Sequence, residues 1–304
     1  MKHLAIILLL AFFLADAQAQ TIPRDEMLFL TAQWTGERFE DGRPKVPDAI
    51  LERMEDVTIE EAWGVLRGEG FHNQFEGGWK TINDRVIVGR ALTVQYMPNR
   101  PDVSQPILER GHAQGRIGAP NSWPIDMLEE GDVYVADGYG KIDGGTLIGD
   151  NLGNAIYANS KRGVVFDGSA RDLEGLADIE GFNAFVRDWH PSYIQEMMVA
   201  GINVPIRIGA ATVLPGDVVL AKREGVLFVP AHLAQKVVDV AAFVSLRDEF
   251  GIMRLREGTY TPGQIDSQWT DAIKADFLQW VEANPEKLPM SKEAWEAFLK
   301  TRHW

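Results

Sequence analysis

The sequence contains no cysteine. This absence excludes disulfide bonds, thiolate metal ligands and a lipid attached to an N-terminal cysteine. Positive charge is also scarce, since 30 Lys and Arg residues stand against 44 Asp and Glu residues and leave a net charge of −14. Because an acidic chain repels phosphate backbones, we expect no nucleic-acid partner.

Long apolar runs are missing except near the N-terminus, where Leu4–Leu14 is uninterrupted. Lys2 and His3 precede this run, and the small residues of Ala17-Gln18-Ala19 follow it. This three-part pattern predicts a secretory signal peptide over residues 1–19. An uncleaved anchor is the alternative, but the run is shorter than the roughly 18 residues of a membrane span. We therefore expect an exported protein, periplasmic or secreted, with no membrane span after cleavage.

Several common catalytic motifs are also absent. No Gly-x-Gly-x-x-Gly follows a predicted strand, and the chain has neither a Gly-Lys-Ser/Thr P-loop nor a Gly-x-Ser-x-Gly elbow. The histidines are scattered, which is more typical of surface or packing residues than of metal ligands. His190, in Asp188-Trp189-His190-Pro191, is the one histidine that we retain as a candidate.

Apolar periodicity predicts alternating helices and strands, which indicates a layered α/β domain. Predicted helices begin at Pro47 and at Thr58, which has Glu61 at capping-box spacing, and the others span Asp102–Gly115, Asn151–Ser160, Ile194–Ala200, Ala231–Leu246, Trp269–Ala283 and Ser291–Thr301. Predicted strands span Arg85–Met97, with Gly89 as a bend or bulge, and Asp132–Asp137, Gly163–Asp167, Val204–Ile208, Val218–Ala221 and Val226–Val229. We divide the chain into an arm (20–46), an α/β domain (47–246) and a C-terminal helical extension (247–304).

The most informative dipeptide is Arg171-Asp172, which follows the predicted buried strand Gly163–Asp167. Open α/β sheets bind ligands at the carboxyl ends of their strands. A guanidinium can grip a carboxylate with two hydrogen bonds, and an aspartate that turns away from it can help to hold a divalent metal. A local ion pair with Asp172 as a helix N-cap is the alternative interpretation.

Glycines also precede the predicted helix at Asn151, as Gly144-Gly145 and Gly149-Asp150. A glycine-rich turn before a helix leaves backbone N–H groups free at the positive end of the helix dipole. Such a turn can bind a carboxylate or a phosphate, although glycine turns before helices are common.

The ordered series Gly149-Asp150, Gly163–Asp172, Pro215–Ala221 and Glu224–Pro230 resembles the RraA-like family. That family includes the 4-hydroxy-4-methyl-2-oxoglutarate/4-carboxy-4-hydroxy-2-oxoadipate aldolases and the regulators of ribonuclease E activity. The resemblance covers roughly residues 47–246. It implies an αββα-type layered sandwich of the swivelling β/β/α kind, assembled as a homotrimer or homohexamer with sites between subunits.

The resemblance also implies roles for individual residues. By position, Arg171 would bind a pyruvate-like group, and Asp172 would support Mg²⁺ or Mn²⁺ largely through water. Gly149 and the helix start at Asn151 and Leu152 would supply backbone amides to a substrate carboxylate. Retro-aldol cleavage would also need a base, for which a water ordered by Asp150 or Glu224 is the candidate.

A third acidic group is implied by the hairpin that reads Ala-Asp-x-Asp-Gly in the family, whose acid reaches the neighbouring subunit's site. Here the hairpin reads Ala221-Lys222-Arg223-Glu224-Gly225, so Lys222 replaces the first acid and Glu224 is the remaining candidate. The resemblance therefore implies a metal-dependent lyase that acts on an oxo- or hydroxy-acid and releases pyruvate or a related 2-oxo acid. A non-catalytic ligand- or protein-binding member of the family is the alternative.

Overall fold

A computed structural model describes residues 20–301 of the chain. The predicted signal peptide, residues 1–19, lies outside the described residues. Each helix among residues 20–301 is too short or too polar to span a bilayer.

The described chain forms a mixed α/β domain followed by further helices, as the sequence predicted. The ten α-helices of residues 20–301 are α1 (Arg24–Leu30), α2 (Asp48–Glu55), α3 (Ile59–Gly68), α4 (Pro101–Ala113), α5 (Asp150–Ser160), α6 (Leu173–Ala177), α7 (Ala234–Glu257), α8 (Pro262–Ile265), α9 (Asp271–Ala283) and α10 (Lys292–Thr301). The strands are β1 (Phe75–Glu76), β2 (Lys80–Thr81), β3 (Ile87–Pro98), β4 (Asp132–Thr146), β5 (Val164–Ala170), β6 (Ala184–Trp189), β7 (Met197–Ile202), β8 (Ile206–Ile208), β9 (Ala211–Val213), β10 (Val218–Lys222) and β11 (Gly225–Val229).

The main sheet has the strand order β1-β11-β10-β3-β4-β5-β6-β2, with β7 beside β3. The four central strands β3, β4, β5 and β6 are parallel, so their carboxyl ends lie at the same end of the sheet. Its two edge strands, β1 and β2, are separated in the chain only by residues 77–79. The sheet therefore curls until its edges are nearly joined.

The two faces of the curled sheet bury different clusters because side chains alternate along each strand. On β3, Val88, Leu92 and Val94 pack under the helices, whereas Ile87 and Ala91 face the interior with the β8–β9 ribbon. The interior face of β3 explains Gly89. A Cβ at this residue would lie 2.5 Å from the carbonyl oxygen of Gly131, so the close approach of the neighbouring strand requires glycine.

The predicted bend or bulge at Gly89 is wrong, since the pairing of β3 with β10 is regular there. The register of β3 shifts instead between Gln95 and Tyr96, opposite β7.

The predicted helix Ile194–Ala200 is also wrong, because the chain forms strand β7 there. The cause is non-local. Strand β10 covers only the first part of β3, up to Arg90, and β7 pairs antiparallel with Val94–Pro98 farther along the same strand. A long strand with an uncovered edge offers hydrogen bonds that a short apolar segment of ambiguous period satisfies as a strand.

The C-terminal helices pack on the far half of α7, which continues through residues 246–247 to Glu257. The predicted boundary between the α/β domain and the extension therefore falls inside one continuous helix, and the division remains a prediction. An aromatic cluster holds this region together and includes Phe243, Phe250, Trp269, Phe277 and Trp295.

The N-terminal arm is anchored to the sheet by a buried ion pair. The Arg43 guanidinium donates to both carboxylate oxygens of Asp132 at 2.9 and 2.8 Å, and the side chains are 2% and 0% exposed. Burial is the largest single effect and lowers the pKa of Arg43, but the nearby carboxylates, with Asp132 foremost, together outweigh burial and raise that pKa. Arg90 joins the same carboxylate and also reaches Asp48.

We predict that Arg43→Ala lowers the free energy of unfolding by about 3 kcal/mol, because it removes one partner of a buried charge pair. Lys45→Ala is the matched control, since its pair with Glu37 is exposed and should contribute less than about 1 kcal/mol. Urea unfolding measures both values. Equal losses in the two variants would show that Arg43 does not anchor the arm.

Candidate functional site

Arg171 and Asp172 follow directly on β5, which is buried along its whole length between β4 and β6. The predicted strand is confirmed and continues to Ala170, so the pair lies at the carboxyl end of a central strand. Asp172 adopts a left-handed backbone conformation with φ 57° and begins α6. Aspartate tolerates this region better than most residues, and strained positions of this kind often belong to functional sites.

The alternative interpretation of this pair, a local ion pair with Asp172 as a helix N-cap, is only partly fulfilled. Nη1 of Arg171 lies 3.5 Å from Oδ2 of Asp172, which is a long contact for an ion pair. Asp172 occupies the N-cap position of α6, but its side chain accepts no capping hydrogen bond. The side chains are 42% and 35% exposed, so solvent reaches both charged groups and a ligand could as well.

Gly149 brings the start of α5 against the same two side chains. It is the N-cap of α5 and has an ordinary φ of −124°. A Cβ at Gly149 would lie 2.3 Å from Oδ2 of Asp172 and 3.2 Å from Nε of Arg171. The Arg171 N–H also donates to the carbonyl oxygen of Ile148 at 3.0 Å. A larger residue at position 149 would therefore have to displace the Asp172 carboxylate, although its backbone conformation would be acceptable.

The first turn of α5 contains the other predicted binding residues. The Asp150 carboxylate accepts the N–H of Asn151 at 2.8 Å, and the Asp150 side chain packs against Gly175 of α6. Leu152 completes the turn. The first N–H groups of a helix have no partner within it and carry partial positive charge. Arg171, Asp172 and this turn therefore converge on one exposed surface that can hold a carboxylate.

His190 reaches the same end of the sheet by another route. The backbone N–H of His190 donates to the carbonyl oxygen of Ala170, the residue before Arg171. The ring Nδ1 lies 2.9 Å from the hydroxyl of Ser192 and accepts the Ser192 N–H at 3.2 Å. Asp143 lies 3.6 Å from the same nitrogen. His190 is thus held beside the site by its own loop.

The surface around Arg171 and Asp172 offers few protein ligands to a metal ion. Across residues 20–301, no three His, Cys, Asp or Glu side chains are grouped to hold one metal ion. A hard cation such as Mg²⁺ keeps several waters and often takes only one or two protein carboxylates. The partly exposed Asp172 carboxylate fits such a water-rich ion, and its surroundings do not fit a cage of protein ligands.

Glu224 is not joined to these residues within one chain. It lies in the turn between β10 and β11, and its carbonyl oxygen faces Gly77. Among the described residues, no hydrogen bond or ion pair links Glu224 to Arg171 or Asp172. Lys222, the altered hairpin residue, donates to the carbonyl oxygen of Glu55 at 2.9 Å. A role for Glu224 at this site requires a neighbouring subunit and remains a prediction.

The structure adds an acidic pair that the sequence analysis missed. Asp137 and Asp167 lie opposite each other on β4 and β5, and each is only 7% exposed. Burial raises the pKa of Asp137, the Tyr139 N–H opposes this rise, and the charge of Asp167 adds to it. Two predicted neighbouring strands that both end in Asp were the signal that could have revealed this pair.

Arg187 satisfies one member of the acidic pair and ties the sheet edges together. Its guanidinium donates to Asp167 at 2.6 Å, to Glu76 at 2.9 Å and to the carbonyl oxygen of Gly77 at 2.8 Å. It also stacks on Trp79 at 3.9 Å from the ring centre. These contacts join β5 and β6 to the segment that closes the sheet.

Comparison with known proteins gives a consistent result. The model of the RraA-like family, described as Aldolase/RraA, matches residues 49–228. Protein DlpA of Legionella pneumophila is 29% identical over 163 residues, which span 54% of this chain and 24% of DlpA. A protein of Ectopseudomonas mendocina with the provisional name 4-hydroxy-4-methyl-2-oxoglutarate aldolase is 31% identical over 111 residues, spanning 36% of this chain and 67% of that protein.

Solved structures share the fold. RraAS2 of Streptomyces coelicolor, titled an unusual member of the RNase ES inhibitor RraA protein family, has a TM-score of 0.60 and 27% identity. The match covers 69% of this chain and all of that chain (100%). An uncharacterized protein of Pseudomonas syringae pv. tomato has a TM-score of 0.61 over 77% of this chain and 99% of its own. At 24% identity, that likeness concerns the fold alone.

We predict that Gly149→Ala destabilises the protein by about 1–3 kcal/mol, because the added methyl group must displace Asp172 or Arg171. Gly64→Ala in α3 is the control, since nothing lies within 4 Å of its Cβ position. This helical substitution should stabilise by about 0.5–1 kcal/mol. Urea unfolding measures both changes, and a Gly149→Ala variant at least as stable as the wild type would contradict the close approach at Gly149.

Proposed function

The chain belongs to the RraA-like family, and on this premise we propose that it is a divalent-metal-dependent lyase of the retro-aldol type. Its substrate would be a hydroxy- or oxo-acid, and its product pyruvate or a related 2-oxo acid. One observation carries the proposal: Arg171, Asp172 and the first turn of α5 converge at the carboxyl end of β5. Relatives of about 30% identity with aldolase names support the same reaction class.

Binding of the substrate's 2-oxo acid end would use two sets of donors. The Arg171 guanidinium, whose contact with Asp172 is long, is available for two hydrogen bonds to a carboxylate. The N–H of Leu152 lies at the positive end of α5 and suits the same negative group. The N–H of Asn151, which the Asp150 carboxylate accepts at 2.8 Å, would have to exchange that partner for the substrate. Together they would fix the carbon skeleton relative to Asp172.

Cleavage of a 4-hydroxy-2-oxo acid requires a base and stabilisation of charge. The base takes the 4-hydroxyl proton, the bond between C3 and C4 breaks, and its electron pair moves into the enolate of the pyruvate half, which is then protonated at C3. Arg171 would face the negative charge as it develops. A divalent cation, Mg²⁺ or Mn²⁺ supported by Asp172 largely through water, supplies further positive charge when bound.

The base would be a water molecule ordered by a carboxylate. Asp150 is held against Gly175 beside Asp172, so its second oxygen can orient such a water. Glu224 from a neighbouring subunit is the other proposed source. This role of Glu224 assumes that the protein assembles as a homotrimer or homohexamer.

The predicted signal peptide supports an exported location, periplasmic or secreted.

A non-catalytic binding module is the second candidate. It is favoured by the likeness to RraAS2, which belongs by title to a family of RNase inhibitors. A catalytic role requires turnover that depends on Arg171, whereas a binding role requires only ligand affinity. A measurement of turnover therefore distinguishes the two functions, and a measurement of ligand binding does not.

We predict that the purified protein releases a 2-oxo acid from at least one member of a panel of 4-hydroxy-2-oxo acids with Mg²⁺ or Mn²⁺. A coupled lactate dehydrogenase assay measures pyruvate, and mass spectrometry measures other products. Chelation should abolish release, and added metal should restore it. Arg171→Ala should lower kcat/KM by about 100-fold, as does loss of a donor to developing charge.

Asp172→Asn is the companion variant, because asparagine keeps the left-handed conformation and removes the charge. It should weaken the activating effect of the metal. Arg100→Ala is the control, since Arg100 forms an exposed pair with Asp102 outside the site. Turnover that is unchanged in both site variants would show that the site assignment is wrong, whereas no turnover of any substrate by the wild type would favour the binding module.

A mixing experiment tests whether the site is shared between subunits. Arg171→Ala and Glu224→Gln should each reduce activity when assembled alone. Hybrid oligomers formed from the two variants should regain part of the wild-type activity, because some interfaces then combine intact Arg171 with intact Glu224. Hybrids no more active than the separate variants would exclude Glu224 as a residue shared across the interface.

A further inference from the structure

A cavity of about 300 Å³, separate from the candidate site, lies between the N-terminal arm and the residues that follow β9 and β11. The arm supplies Leu30, Thr31, Gln33, Trp34 and Pro44 to its wall. These residues precede segment 49–228, which the family model matches. The cavity is therefore created by an addition to the family domain, and none of the residues proposed for catalysis lines it.

The arm side of the cavity is held in one conformation. Trp34 Nε1 donates to the carbonyl oxygen of Glu37 at 2.7 Å, and Gly36 packs so closely on the indole that a Cβ would lie 2.4 Å from it. The Arg38 guanidinium donates to the carbonyl oxygens of Thr31 and Trp34, both at 2.8 Å. Because this wall is already fixed, it loses little conformational entropy when a ligand binds.

Most of the lining is apolar and partly aromatic. The apolar lining side chains are Leu30, Trp34, Pro44, Phe71, Leu214, Pro230 and Ala231. Trp34 and Phe71 both pack against the buried cluster under α2, α3 and α7, which restricts the orientation of both rings. A cavity of this size and lining suits a small apolar or aromatic group.

The polar atoms at the buried side of the cavity are acceptors. Asp217 is 5% exposed, and its carboxylate receives the N–H groups of Leu214, at 2.8 Å, and Ala231. Among residues 20–301, no Lys, Arg or His forms an ion pair with it. Gln74 directs its NH₂ group to the carbonyl oxygens of Thr212 and Phe228, which leaves Oε1 as the acceptor.

We propose that this cavity binds a small molecule that joins a compact apolar or aromatic body to a protonated amino group. The ammonium group would donate hydrogen bonds to Asp217 and Gln74 and would supply the positive charge that the Asp217 carboxylate lacks. The apolar body would lie between Trp34 and Phe71, where an aromatic ring or a branched alkyl group fits.

The charge state of Asp217 gives this binding a measurable proton signature. Burial raises the pKa of Asp217 to about 7. A bound ammonium group favours the ionised carboxylate, so binding at pH 7 releases part of a proton. His232 is the other titratable lining group. Burial lowers its pKa, Glu69 opposes this shift, and the ring contributes little charge at pH 7.

The test is calorimetric titration of the whole protein at pH 7 with 2-phenylethylamine and with 2-phenylethanol, its uncharged analogue of the same shape. We expect the amine to bind at least about tenfold more tightly than the alcohol, and we expect proton release in paired buffers of different ionisation enthalpy. Asp217→Asn should remove the preference for the amine. Trp34→Ala should weaken both ligands, whereas Trp63→Ala, which alters a tryptophan outside the cavity, should change neither.

Asp217 also accepts two backbone N–H groups, so Asp217→Asn is informative only if it folds. Trp34→Ala and the proton measurement on the wild type keep the test decisive without it. Equal affinity for amine and alcohol, absence of proton release, or an unchanged affinity in Trp34→Ala would each overturn the proposal. Absence of amine binding at millimolar concentration would do the same.

Discussion

Residues 77–79 impose the constraint on which the rest of the structure depends, because they connect the two edges of one sheet. With β1 on β11 and β2 on β6, the sheet must curl around its own interior. The side chains that face inward, with the β8–β9 ribbon, then form a core enclosed by the sheet itself. Arg187 secures the closure by binding Glu76 and Asp167, which lie on strands from different parts of the sheet.

The candidate site follows from this closure. Parallel central strands must end together, so β4, β5 and β6 deliver Asp137, Arg171 and His190 to the same end of the sheet. The helix that crosses between β4 and β5 returns its first turn to that end. Gly149 permits contact between this turn and Asp172, and a larger residue would separate the two groups that the proposed chemistry needs together.

Local patterns made much of this architecture predictable. The capping box of Thr58 and Glu61, the helix at Asp150–Ser160, the buried strand before Arg171 and the β10–β11 hairpin all depend on neighbours in sequence. The errors concern distant partners. β7 exists because β3 is longer than β10, and Arg43 meets Asp132 across 89 positions of chain. No periodicity in a single segment reports such pairings. The pair Asp137–Asp167 had a signal in the two strand ends, but its alignment depends on the register of β4 and β5.

The long helix α7 has a further consequence. Its first half, including Val237 and Val238, packs with α2 and α3 over the sheet, while Phe243 and Phe250 in its second half form the centre of the aromatic C-terminal cluster. A single continuous helix thus contributes side chains to two hydrophobic cores. Melting either core removes half of the helix's burial and weakens the other core. The α/β domain and the C-terminal helices are therefore thermodynamically coupled, and they should unfold as one cooperative unit although the family match ends before α7 begins.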